Sequence, residues 1–446
     1  MALPHLTILG GGIAGLSAGF FARTNGLSFT LYEARDRVGG NCVTLDRDGF
    51  RFDSGAHRFH DKDATITEVM KELLGPDLRR LVRPSKMFSR GVFLDYPASP
   101  VNLLRGLGLL FLTRAAFDIT ASKMSHKAPL VSFEDYAVRM YGKTVAERFF
   151  LSYTEKLWGV SCGRLQPDVA AKRFQGFGLR TLVDPLRRVL DSKSRPSEGA
   201  YYYPEGGIGT ISAAMSARCN VESLRMNAPV TWIEHDGRRI RSIEINGRES
   251  ADVEEVVSTI PLDLLVKSMH PLPPGEILEA ARRVRFRNVI LVAFFLNRES
   301  VSNAAIIYFT DPDFSIIRVY EPRNRNLRMS PPGKTSLVAE IPCSPVEETW
   351  ALSDDTLIHR AESELIRAGL VRKPDILGAC IHRMPYAYPV PEAALQEHVE
   401  KLLQFAGTFG NLKLLGRCGT WQYLWMHDLM AKGRRLVDSY IENSRG

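Results

Sequence analysis

The sequence lacks the features of a secreted, fibrous, membrane-spanning or nucleic-acid-binding chain. Its six cysteines, Cys42, Cys162, Cys219, Cys343, Cys380 and Cys418, are scattered over 446 residues and form no C-x-x-C pair. That spacing argues against a disulfide framework or a zinc site, so reduced thiols in a cytoplasmic protein and no bound metal are expected. No uncharged apolar run reaches the roughly eighteen residues of a spanning helix. The most apolar stretch, residues 101–119, is interrupted by Arg105 and Arg114 and holds two glycines. The first apolar run begins within a few residues of Met1, so no signal peptide is expected. Repeats, low-complexity tracts and massed basic runs are also absent, and with them any sign of a nucleic-acid-binding module.

What is there is an ordinary globular composition, 45% hydrophobic and 24% charged, with a net charge of +8 and an isoelectric point near 9.1. The length accommodates two or more intertwined domains. The basic balance suits an anionic partner such as a nucleotide sugar or a phospholipid surface. Residues 101–119 are expected to form a buried or lid helix. Membrane-surface association, with both arginines at headgroup level, is the alternative.

The informative stretch is at the start. An apolar run, Leu6 to Leu9, stops at Gly10-Gly11-Gly12-Ile13-Ala14-Gly15, which opens a helical pattern to about Asn25; a second run ends at Glu33. This G-x-G-x-x-G is a dinucleotide fingerprint. Gly10 allows the tight turn, Gly12 lets a pyrophosphate approach the backbone, and Gly15 lets helix and sheet pack closely. Glu33 is placed to accept hydrogen bonds from a ribose 2′-OH.

Further along, Phe50 to His60 reads as a short strand entering a glycine turn with His57 and His60. Thr65–Leu74 reads as a helix, Met87–Tyr96 as a strand pair and Phe133–Trp158 as one long helix capped by Ser132. After these come a helical piece holding Lys172 and Arg173 and a polar linker, Ser192–Gly199. Asn227–Ile245 alternates as paired strands, and Glu255–Pro261 reads as a buried strand returning to the nucleotide-binding sheet. Four β-like runs between 284 and 345 predict a mostly antiparallel sheet. Asn411–Leu415 predicts a last short strand before the final helix.

Arg35-Asp36-Arg37-Val38-Gly39-Gly40 resembles the R-x-x-x-G-G element of flavoprotein oxidases, which wraps FAD. With YTEKLWG (153–159), YPEGGIG (203–209), VVSTIP (256–261) and GRCGTWQYLWMH (416–427), the chain resembles the superfamily of flavin amine oxidases, protoporphyrinogen oxidases and UDP-galactopyranose mutases. The resemblance implies an α/β fold: a Rossmann-type FAD-binding domain with a parallel sheet, interleaved with a mostly antiparallel-sheet substrate domain and a helical subdomain. The expected bounds are 1–75, 200–275 and 405–446 for the first, 276–404 for the second and 76–199 for the third.

It also implies FAD held by Gly10, Gly12, Gly15, Glu33, Arg35, Gly39, Gly40, His57, Val230, Gly416 and Arg417. A small-molecule substrate, in one branch an anionic sugar nucleotide, would meet Tyr153, Trp158, Arg173, Arg318 and Tyr423. His57, Arg318, Tyr423 and Trp425 would stand nearest the chemistry. Arg318 lies inside an apolar run, and a buried guanidinium needs an anionic partner; FAD or substrate phosphate is the expected one. In the oxidase branch a hydride passes from substrate to flavin N5. In the mutase branch reduced N5 attacks a sugar and the reaction is redox-neutral. The mutase pattern has an aspartate where this chain has Trp425, which places strict mutase activity in doubt and leaves the oxidoreductase as the main expectation.

Overall fold

The computed structural model describes residues 3–96, 100–124, 129–168 and 200–445. Arg173, its neighbour Lys172 and the linker 192–199 lie outside the described residues.

Strand β1 (Leu6–Leu9), helix α1 (Ile13–Thr24) and strand β2 (Phe29–Tyr32) form the expected unit. The strands pair in parallel, Leu6 opposite Phe29, which the helical crossover between them requires. The buried strand Glu255–Ser258 joins the other side of β1 in parallel. Leu412–Leu414 and Leu224–Arg225 complete a five-stranded sheet assembled from four distant parts of the chain.

The second sheet has seven strands, in the order Ile376–Pro389, Phe286–Leu296, Thr335–Cys343, Arg318–Tyr320, Ile307–Phe309, Ser85–Ser89 and Val92–Tyr96. All its pairs are antiparallel except Ile307–Phe309 with Ser85–Ser89. Its central strands are apolar without alternation because both faces are covered. Val289, Leu291, Ala293 and Phe295 face the helices of 133–158, whereas Ile290, Val292, Phe294 and Leu296 face the helix Asp354–Arg367. The sheet crosses the domain bounds expected from the sequence, taking two strands from the segment expected to be helical. A four-stranded sheet built on Val230–His235 also rises from a segment assigned to nucleotide binding.

Three expectations need correction. Phe133–Trp158 is not one helix. Its first part, Phe133–Tyr141, starts on a Ser132–Asp135 capping box and ends at Gly142, whose φ is +73°. A π-helical stretch at Ala146–Leu151 then leads into Ser152–Trp158. The extra residue per turn rotates the side chains beyond it about the helix axis, and Phe149, Phe150 and Tyr153 come to line one cavity.

Residues 101–119, expected as one buried or lid helix, form two helices that are only partly buried. Two helices, Pro100–Leu107 and Leu109–Met124, meet at Gly108 (φ +82°). Leu103 and Ala115 are buried, but Leu109, Leu110 and Phe117 are exposed, Leu110 by 83%. Among the described residues no helix is long and apolar enough to cross a membrane. The strand Ile376–Pro389 was not expected at all. It is mostly half-buried and interrupted by Pro385 and by Tyr386 at φ +52°, so its sequence carries no strand period.

Candidate functional site

At the N-terminal turn, packing explains each fingerprint glycine separately. A Cβ on Gly15 would lie 2.0 Å from the Gly10 carbonyl oxygen, so only glycine lets α1 seat on β1. Gly10 itself has φ +98°. Gly12 has φ −63°, which any residue adopts, and a Cβ there would meet nothing nearer than the Gly40 Cα at 4.0 Å. The protein leaves that space open, as a cradle for a close-lying phosphate should. Glu33 is buried beside it, one carboxylate oxygen accepting from Gly11 N at 2.7 Å and the other from Arg35 N at 2.9 Å.

Gly39 N donates to Gly11 O at 2.8 Å, which brings the Gly39-Gly40 turn over the first. From the far end of the chain, Gly416 closes on the start of α1: its Cβ would sit 3.4 Å from that of Ala14. These residues fit a dinucleotide. Val230 lies to one side, two residues past Ala228, whose N–H donates to the Glu33 carbonyl at 2.8 Å.

A cavity of about 930 Å³ opens next to this cradle. The structure brings His57, Tyr153, Arg318, Arg417, Tyr423 and Trp425 together in its wall. Trp158 is not among them. It is buried against Tyr388 and lines a smaller cavity of about 230 Å³ that meets the first at Tyr423. The rest of the 153–159 segment is structural. Lys156 Nζ donates to the carbonyls of Phe309, Asp311 and Ile316, and Glu155 accepts from Cys162 N. Buried Arg287 binds the terminal helix carbonyls of Lys156 and Leu157.

Arg318 has a protein partner, which corrects the expectation of a cofactor or substrate phosphate. It stands directly across the sheet from Glu340, and its Nε and Nη2 both reach Glu340 Oε2 at 2.7 Å. Glu340 Oε1 accepts from Ala56 N at 2.9 Å, tying the pair to the turn that carries His57. Arg417 spends its donors on the carbonyls of Leu424 and Ala387, and its Cζ lies 5.2 and 5.1 Å from the ring centroids of Tyr388 and Tyr423, beside that stacked pair. Trp425 stacks at a tilt near His60 and His427, with Lys62 Nζ 3.7 Å from its ring centroid.

Below the cavity lies a buried hub. Asp53 accepts from Tyr203 OH at 2.6 Å, Thr44 Oγ1 at 2.7 Å and Ile208 N at 3.0 Å, and pairs with the wholly buried Arg325. Burial pushes the Asp53 carboxyl up, against the pull of Arg325. YPEGGIG thus anchors the floor.

Reading the sequence missed Glu340, Tyr308, Tyr388 and Arg58, all but Glu340 cavity-lining. Glu340 had a signal, a lone acid inside an apolar strand run, of the kind that singled out Arg318. Tyr388 sits on the unexpected strand and had none.

His57 Nε2 lies 2.9 Å from the Asn41 carbonyl and donates to it. Burial, then the charges of Arg417, Arg318 and Arg325, push its pKa down to about 3. Burial likewise lowers His60 and His382, each to about 4. An unfolded histidine titrates near 6.5. Between those limits the unfolded chain binds protons that the native one refuses, so stability is full above about pH 6.5 and falls as pH drops toward 4. Thermal melts from pH 7 to 4.5 should show that fall. His57→Asn should make the slope shallower by up to ~1.4 kcal/mol per pH unit; an unchanged slope would refute a neutral, buried His57.

The profile of the family described as flavin containing amine oxidoreductase matches residues 13–389. Coproporphyrinogen III oxidase of Bacillus subtilis is 21% identical over 474 aligned positions, covering 98% of each chain. A reduced UDP-galactopyranose mutase superposes with a TM-score of 0.86 at 21% identity, over 98% of this chain and 96% of that one. Cyclohexylamine oxidase from Brevibacterium oxydans superposes at 0.68 and 15% identity, with both chains covered in full. The two structural likenesses establish the fold.

Proposed function

The chain belongs to the flavin-containing amine oxidoreductase family, and from that premise we propose that it binds FAD and dehydrogenates a mid-sized organic substrate in the 930 Å³ cavity. It is a flavoenzyme, and bound FAD supplies the hydride acceptor. The supporting observation is the make-up of the cavity wall. Seven tyrosines line it, among them Tyr153, Tyr308, Tyr388 and Tyr423, and offer flat apolar faces. Among the described lining residues Asp61 is the only carboxylate, and it accepts from Thr67 Oγ1 at 2.7 Å. No pair of acids is there to run a hydrolysis, whereas hydride removal needs a shaped, water-poor pocket.

In this reading the tyrosines orient the substrate and exclude water. His57, neutral at physiological pH, leaves Nδ1 free of a proton and able to accept one hydrogen bond. Gly10 to Gly15, Glu33, Gly39-Gly40 and Gly416 hold the dinucleotide. Trp425 and Lys62 border the side where mutases carry an aspartate. The B. subtilis relative, named for a porphyrinogen, supports a bulky cyclic substrate.

The test is anaerobic. Purified yellow protein should bleach on adding a porphyrinogen, amine or alcohol with no other reductant, and oxygen should restore the colour. A flavin that none of these reduces would argue against the oxidoreductase. The second reading, a redox-neutral sugar-nucleotide mutase, is favoured by Tyr153, Arg318 and Tyr423 sharing one cavity. It requires turnover only after chemical reduction of the flavin, together with UDP or TDP binding.

A further inference from the structure

Arg58 is half-buried and lines the cavity. The buried arginines Arg287 and Arg325 and the half-buried Arg318 each have a carboxylate: Glu347, Asp53 and Glu340. Arg58 has none among the described residues. Its Nη2 donates to Ser85 Oγ at 3.2 Å, its Cζ lies 4.9 Å above the Tyr201 ring, and its Nε is shut off from solvent with no acceptor. A hydroxyl and a ring face do not balance a guanidinium held away from water.

The charges around it add to the imbalance. Arg58, Lys62, Arg80, Arg83, Arg318 and Arg417 line the cavity against the single acid Asp61. Glu340 offsets Arg318, and carbonyls and ring faces occupy Arg417. Arg80 and Arg83 are exposed on or next to the strand Leu78–Val82, where they border the same cavity. Lys62 is engaged at the Trp425 ring. The charge that no carboxylate among the described residues offsets thus rests on Arg58, Arg80 and Arg83, of which Arg58 is the least exposed.

We propose that Arg58 is the substrate's anion anchor: it forms a two-point contact with a carboxylate or phosphate group, and Arg80 and Arg83 draw that group in. This rests on the oxidoreductase reading for the identity of the cavity and adds the charge of the molecule it accepts. A guanidinium presents paired donors that match either oxyanion. A charge-assisted contact of this kind in a partly desolvated wall is worth ~10- to 100-fold in affinity. Exposed Arg80 should contribute less and lose its effect in salt.

The experiment uses FAD-loaded protein titrated with inorganic pyrophosphate in one arm and 1,2,4,5-benzenetetracarboxylate in the other. Tryptophan fluorescence and flavin absorbance are both read. Wild type should bind at least one probe, and the arm that binds identifies phosphate or carboxylate chemistry. R58M should weaken that binding ~10- to 100-fold. R58K should lie between, since lysine keeps the charge and loses the fork; it decides the matter if R58M fails to fold. R80A should weaken binding only a few-fold at low salt.

Wild type indifferent to both probes, or R58M and R58K binding as wild type does, would overturn the proposal. Colourless protein whose tryptophan signal still responds to anions through Arg58 would sink the flavin reading and leave the anchor standing. Yellow protein bleached by an uncharged substrate and blind to both anions would do the reverse.

Discussion

Gly15→Ala should purify colourless and melt several degrees below wild type, whereas Gly12→Ala should melt like wild type and still be largely colourless. The two outcomes differ because the glycines answer to different neighbours. At Gly15 the added methyl would stand 2.0 Å from the Gly10 carbonyl and 3.1 Å from an Ile8 methyl. Backbone cannot yield as a flexible side chain does, so α1 must lift off β1. Overpacking of this kind costs ~1–3 kcal/mol, and the turn that should hold the pyrophosphate moves with the helix. At Gly12 the nearest atom to the methyl would be 4.0 Å away and the backbone is unstrained. The apoprotein therefore tolerates it. The methyl instead occupies the room a phosphate needs, and flavin affinity falls by well over ~10-fold. The ratio of flavin to protein absorbance, with melts of the apoproteins, separates the two. A yellow Gly15→Ala protein of wild-type stability would contradict the helix–strand packing, and a fully loaded Gly12→Ala protein would contradict the cradle.

How legible was this in the sequence? The β1–α1–β2 unit was, because its signals are local: an apolar run, glycines at fixed spacing, an acid at the end of the next run. So was the Arg318 anomaly. A charge inside an apolar run is visible without knowing the partner. The partner was not visible. Glu340 is twenty-two residues away, and only the register of two antiparallel strands sets it opposite. Expecting a phosphate there treated Arg318 as alone.

The other failures share a cause. Phe133–Trp158 has helical period throughout, and nothing in that period announces that Gly142 would take φ +73° or that the next turn would be π. The two helices of 100–124 hold apolar side chains that composition assigned to a buried or lid helix without deciding between the two, and Leu109, Leu110 and Phe117 are solvent-facing. Composition measures how apolar a segment is and is silent on whether a neighbour covers it. Arg58 was overlooked because in Phe50 to His60 the glycine turn and its two histidines drew the reading, and nothing local to the sequence tells that its guanidinium lacks a carboxylate.

Arg318→Met should cost ~3–5 kcal/mol of stability, the usual penalty for leaving one partner of a buried ion pair alone. Glu340 is 1% exposed and Arg318 13%, so water cannot take the place of the lost guanidinium. The effect should travel, because the other Glu340 oxygen holds Ala56 N and through it the turn bearing His57 and Arg58. Glu340→Met leaves the opposite charge stranded and should cost a comparable amount. The double variant R318M/E340M removes both charges and puts two apolar side chains on a sheet whose flanking residues are already apolar. It should recover most of the loss, giving a coupling of several kcal/mol in a double-mutant cycle. Recovery of stability without recovery of turnover would show that the pair also serves the cavity: kcat/KM in the double variant should stay ~10-fold down, because the turn bearing His57 and Arg58 has lost the Glu340 acceptor that holds Ala56 N. Equal stability of R318M and wild type would remove the ion pair from the account, and full turnover in the double variant would confine Arg318 to holding the sheet.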